Sequence, residues 1–150
     1  MNQFWAPLTW LCFLVTNADG QDWPVYHGDK SASHFSQLDQ INRANVAQLE
    51  PAWIFRTKRS GTLQCNPLVI DGRVFLFDQD LHLHALDGSN GEPLWEFAAP
   101  QGGRGIVRGL SHWEKRLFFS VSHYLYAVNA ETGNPIITFG NDGKIDLNDD

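Results

Sequence analysis

Cysteine is almost missing from this chain, which holds only Cys12 and Cys65. Cys12 lies inside an amino-terminal apolar segment that reads as removable, so Cys65 stands alone and no intrachain disulfide can form. A single small thiol of this kind reads as a buried hydrophobe. Positive charge is also scarce: 11 Lys and Arg against 17 Asp and Glu leave a formal net charge of −6, and no basic cluster exceeds Lys58-Arg59. That balance argues against nucleic acid as a partner. No apolar run reaches the ~20 residues that a membrane-spanning helix needs. No G-x-S-x-G, H-E-x-x-H, phosphate loop or zinc-ligand Cys/His spacing occurs, which leaves independent hydrolase chemistry without support.

What is present is a hydrophobic fraction of 43% and an aromatic fraction of 13%, enough for a β-rich globular unit with a real core. The first eighteen residues carry no charge and contain an apolar run from Phe4 to Val15. That run has the length of a signal-peptide h-region, and Thr16-Asn17-Ala18 supplies a small-residue cleavage site, although no Lys or Arg precedes it. Residues 1–18 are therefore expected to be a signal peptide, and the remainder an exported protein.

A repeat organises the rest. ALDGSNGEPLW, from Ala85 to Trp95, is echoed by AVNAETGNPII, from Ala127 to Ile137, at a spacing of 42 residues. The same offset pairs Leu83 with Leu125, Gly91 with Gly133, Pro93 with Pro135 and Phe97 with Phe139, and one step upstream it reaches Pro51, Trp53 and Phe55. A period near 40–45 with short strands inside each unit points to propeller blades. NPLVI, RVFLFD, LHLHALD and PLWEF read as four strands, and RGLSHW, RLFFSVS, YLYAVN and PIITF as four more, with tight turns between them. The expected fold is all-β: a partial β-propeller of about two four-stranded antiparallel blades, near 66–97 and 108–139, plus a lead-in. Gly91 and Gly133 sit where the turn needs positive φ. Asp87 and Asn129 are placed to bond back to its backbone. Ala85 and Ala127 are small enough to lie under an aromatic lid, which Trp95 is placed to supply.

The segment DWPVYHGDKSASHFSQLDQINRANVAQL, together with AWIFRT, LQCNPLVIDG, the ALDGSNGEPLW turn, RGLSHW and FGNDGKIDL, resembles the amino-terminal part of the quinoprotein dehydrogenases. These are eight-bladed propellers that use pyrroloquinoline quinone (PQQ). The resemblance covers residues 22 to 147. The turn is similar to that family's tryptophan-docking motif, Ala-x-Asp-x-x-Thr-Gly-x-x-x-Trp. The first copy has Asn90 in place of Thr, and the second has Asn129 and Ile137 in place of Asp and Trp, so a weaker inter-blade lock is expected there.

The cofactor is a flat quinone with three carboxylates, so its site needs cationic forks, neutral hydrogen-bond donors and flat surfaces. By resemblance, Arg108 matches the cofactor-contacting arginine of an Asn-Arg-Gly stretch, with Val107 in place of the Asn. A guanidinium binds carboxylate bidentately and stays charged; a surface ion pair is the alternative role. Gln64 falls where many members place a cofactor-contacting glutamate, and its amide both donates and accepts. A plain strand-end residue is the alternative there. Gly102 and Gly103 stand where alcohol-oxidising members carry two adjacent disulfide-bonded cysteines, which tilts the resemblance toward glucose- or polyol-oxidising relatives. Two glycines allow backbone to approach the ring face.

Other candidates are weaker. His82 and His84 share one strand face but find no third metal ligand, and Asn141-Asp142-Gly143 with Asp146, Asp149 and Asp150 lacks the alternating ligands of a calcium loop. The calcium ligands and catalytic aspartate that the resemblance implies for the full-length parent match nothing in this chain. Two repeats are too few to close a propeller, so the chain is expected to be part of a longer one. Its open faces are expected to carry Trp53, Trp95, Phe97 and Phe139. The resemblance implies an alcohol or sugar substrate, a periplasmic location and an electron acceptor such as a quinone or cytochrome c, and leaves membrane association open. A non-catalytic propeller scaffold for protein binding or envelope assembly is the other reading.

Overall fold

A computed structural model describes residues 20–58, 61, 63–100 and 106–148. The expected signal peptide and the Gly102-Gly103 pair lie outside these. The described residues form two four-stranded antiparallel sheets and a short 3₁₀ turn, Val46–Gln48, with no α-helix. The first sheet runs in simple order through β1 (Leu68–Ile70), β2 (Arg73–Phe77), β3 (His82–Asp87) and β4 (Pro93–Ala98). The second repeats that order with β5 (Ser111–Trp113), β6 (Arg116–Val121), β7 (Tyr124–Asn129) and β8 (Lys144–Asp146). Two up-and-down sheets of this kind are the expected partial propeller.

One core lies between the sheets. Alternation along β2 and β3 turns Phe75, Phe77, Leu83 and Ala85 to one face, and they meet Leu117, Phe119, Tyr126 and Val128 of the second sheet. Phe119 is the hub: its ring lies 5.0 Å from Phe77, 5.7 Å from Phe97 and 5.5 Å from Tyr126. Offset and edge-on aromatic contacts of this geometry add about 1 kcal/mol each beyond the area they bury.

The eleven-residue turn works as a socket. Asp87 Oδ1 accepts the Ser89 N–H at 2.7 Å, Asn129 Oδ1 accepts the Glu131 N–H at 2.8 Å, and the Gly91 and Gly133 amides donate to the Asp87 and Asn129 carbonyls at 2.8 Å each. Asparagine thus does the work of aspartate in the second copy. The lid comes from the preceding unit. Trp53 covers Gly91 and donates to Gly88 O at 3.0 Å, and Trp95 covers Gly133 and donates to Ala130 O at 3.2 Å. Trp95 therefore ties its own sheet to the next one rather than closing its own turn. The second turn has a full tryptophan lid, while Ile137 is 73% exposed.

The expected fourth strand at Pro135–Phe139 does not form. Pro135 makes a single bridge to Val128, residues 137–139 turn away, and Lys144–Asp146 takes up the pairing with β7. Ile145 faces Leu125, the place that Phe97 holds opposite Leu83. The cause is local turn chemistry: Gly140, Asp142 and Gly143 all have positive φ, at 57°, 52° and 83°, and Asn141 and Lys144 exchange backbone hydrogen bonds across the reversal. Phe139 instead packs its edge on Phe118 at 5.6 Å. The stretch around Trp53 likewise joins neither sheet. Of the expected exposed aromatics, Phe97 is buried and Trp53, Trp95 and Phe139 are half-covered; the exposed apolar side chains include Phe35, Ile54, Trp113, Ile137 and Leu147.

Candidate functional site

Arg108 lies in the segment leading into β5, where Val107 and Leu110 are buried anchors and Arg108 and Gly109 are exposed. The backbone there is fixed across the sheets, because Asn66 Nδ2 donates to Arg108 O at 2.9 Å. The side chain borders a cleft of about 460 Å³, lined also by Ser111, Phe118, Ser120 and Leu125. Among the described residues its guanidinium has no ion-pair partner. Cationic fork, hydroxyls and apolar surface thus meet at one place, the mixture that an aromatic polycarboxylate requires.

Gln64 borders a smaller cavity of about 30 Å³ with Cys65, Asp78, Gln79, Leu81 and Val107. Ile106 and Val107 line both spaces, so Gln64 and Arg108 open on neighbouring sides of one wall. The Cys65 thiol accepts the Phe77 N–H at 3.3 Å; burial pushes its pKa up, against the opposite pull of that hydrogen bond. It is free and half-buried.

Behind this wall is a group of charges. Asp78 and His84 are both buried, and His84 Nε2 lies 3.0 Å from Asp78 Oδ2, so that nitrogen carries a proton toward the carboxylate. Asp78 Oδ1 accepts the N–H groups of Asp80 and His82 at 2.9 Å each. Burial pushes the Asp78 carboxyl upward, but the His84 ring and the His82 amide outweigh it and hold it below the usual carboxylate range. Glu96 on β4 closes the group, with Oε1 at 2.8 Å from His82 Nδ1 and Oε2 at 3.7 Å from His84 Nδ1. The two histidines thus face carboxylates, and among the described residues no group of three ligating side chains is arranged to hold a metal. The turn at Asn141-Asp142-Gly143 is a tight hairpin reversal. The buried Asp78–His84 pair is the feature that sequence reasoning missed. The alternation of His82 and His84 was visible, but nothing in the sequence says that the turn after β2 sets the Asp78 carboxylate against His84 of β3.

Residues 23–150 match the family described as PQQ, glucose/ethanol/alcohol dehydrogenase, β-propeller domain. The quinohemoprotein alcohol dehydrogenase of Comamonas testosteroni is 30% identical over 125 residues, 77% of this chain and 18% of that protein. The quinoprotein glucose dehydrogenase of Escherichia coli K12 is 30% identical over 156 residues, 85% of this chain and 20% of that protein. The crystal structure of the C. testosteroni enzyme superposes with a TM-score of 0.71 at 25% identity, covering 88% of this chain and 20% of that one. The chain spans about a fifth of the length of these relatives.

Proposed function

The chain belongs to the β-propeller family of the PQQ-dependent glucose, ethanol and alcohol dehydrogenases, and from that premise we propose that it supplies two blades and part of the cofactor wall of an exported quinoprotein dehydrogenase. The observation that carries this reading is Arg108, a guanidinium with no ion-pair partner among the described residues, bordering a cleft that shares Ile106 and Val107 with the cavity beside Gln64. Arg108 would hold a cofactor carboxylate through a two-pronged hydrogen bond, and Gln64 would bond a carboxylate or carbonyl at the adjoining edge. Val107 and Leu110 are buried and hold the backbone that carries Arg108. The bound quinone would supply the two-electron chemistry. The substrate would be an alcohol, polyol or sugar, and the electrons would pass to a quinone or cytochrome c. The base that takes the substrate proton and the calcium that polarises the quinone would come from residues outside this chain.

Turnover tests this reading. The full-length protein, loaded with PQQ and calcium, is expected to reduce a dye or cytochrome acceptor when given an alcohol or sugar, whereas the 150-residue chain alone shows no turnover. A folded full-length protein that takes up no quinone would indicate a protein-binding scaffold. Robust turnover by the isolated chain would contradict the division of labour.

A further inference from the structure

The two sheets are copies, so each serves as a control for the other. On the face of β3 that carries His84, the ring of Phe55 lies 5.2 Å away. The repeat places Tyr126 at the position of His84 and Phe97 at that of Phe55, with the rings 5.8 Å apart. The ladder registers differ by one residue on the neighbouring strand. Phe75 faces Ala85 in the first sheet and Phe118 faces Ala127 in the second, so the counterpart of Asp78 is Val121, which is 2% exposed. Where one blade has Val and Tyr, the other has a buried Asp and His. A buried pair that contains a carboxylate is weak support for stability compared with packed, mostly apolar side chains of similar volume. The second blade shows that this fold accommodates such side chains.

What the Asp78–His84 pair does is visible in its connections. Asp78 gathers the amides of Asp80 and His82 and so sets the shape of residues 78–82, where Leu81 is held at a positive φ of 63°. The turn and the end of β2 that leads into it hold the segment bearing Gln64 through two contacts: Phe77 N–H, the last of β2, to Cys65 Sγ at 3.3 Å, and Gln79 Nε2, in the turn, to Gly61 O at 3.4 Å. Around His84 stand Asp78 from the turn, His82 on its own strand, Glu96 from β4 and Phe55 from the lead-in, while Lys58 reaches Glu96 at 3.9 Å. We infer that Asp78 and His84 are positioning residues: their hydrogen bond fixes the 78–82 turn and, through it, the wall that presents Gln64. The significance for a cofactor rests on the quinoprotein reading; the mechanical link does not.

Cys65 lies beside Gln64 on that wall and reports on it. The experiment measures its alkylation by iodoacetamide at fixed pH in the full-length protein, with Cys65 resolved from other cysteines by peptide mass spectrometry, together with amide hydrogen exchange at Asp80 and His82. Asp78→Asn and His84→Phe are compared with wild type. The phenylalanine gives the aromatic packing that Tyr126 provides in the other blade, without a ring N–H. Expected are alkylation at least tenfold faster in both variants and loss of exchange protection at both amides, with near-ultraviolet circular dichroism unchanged in His84→Phe. Wild-type alkylation and protection in a folded His84→Phe variant would overturn the inference, even if Asp78→Asn does not fold. PQQ titration is run separately. If wild type takes up no quinone, the quinoprotein reading fails while the wall measurement still decides the role of the pair.

Discussion

Asp78 shows how much a single side chain changes when its surroundings are known. In sequence it is one acid in a polar turn; in the fold it is buried, with three hydrogen-bond donors around it. Its folded pKa is depressed, so the stability it contributes is present above the ordinary carboxylate range and is lost as pH falls through the depressed value. Acid unfolding of wild type below about pH 4 is therefore expected to have a component that Asp78→Asn lacks. Unfolding midpoints measured against pH for both proteins check this, and parallel curves would contradict it. Gly133 is the opposite case, fully legible in advance. It has a φ of 72°, and a Cβ there would sit 2.6 Å from the Trp95 ring. Gly133→Ala is expected to cost about 2 kcal/mol or more in urea unfolding, from the left-handed backbone and the displaced tryptophan together.

At the scale of elements, seven of the eight strands could be read from alternation and turn residues, because within each sheet short polar reversals join the strands: Asp71-Gly72, Asp78 to Leu81 and Gly88 to Glu92 in the first, Glu114-Lys115 and Ser122-His123 in the second. The eighth could not. Pro135 to Phe139 has the composition of a strand and the correct repeat phase, but Asn141-Asp142-Gly143 makes a reversal that pulls Lys144–Asp146 onto β7 in its place. Periodicity describes how one unit resembles another; it carries no information about which of two competing segments wins the edge. The lid was half legible. Ala85, Gly91 and Trp95 announced a tryptophan socket, but the partner of each turn is the tryptophan of the preceding unit. Trp95→Ala should therefore unfasten the two sheets from each other, costing about 3 kcal/mol for the lost ring. Protection of the Ala127 to Gly133 amides from hydrogen exchange is expected to fall before that of β2 and β3.

At the scale of the whole molecule, Ile54, Trp113, Ile137 and Leu147 are exposed, and β1, β4, β5 and β8 are the edge strands of the two sheets. Repeats of this kind cannot bury their apolar surfaces singly. The isolated chain without residues 1–18 is thus expected to associate in light scattering, and a monodisperse monomer with cooperative unfolding would show that two blades suffice. The fold and the family were legible because the repeat and its sockets are dense in glycine, tryptophan and aspartate. Arg108 and Gln64 were singled out only by resemblance, since they are 44 positions apart and border one wall only once the sheets pack. The central claim is that this wall holds the quinone, and equilibrium titration of PQQ into the full-length protein tests it most directly. Arg108→Ala is predicted to weaken binding by roughly 10- to 100-fold, about 1.5–3 kcal/mol, with Arg108→Lys recovering only part of the loss. Dissociation constants equal to wild type in both variants would contradict the account.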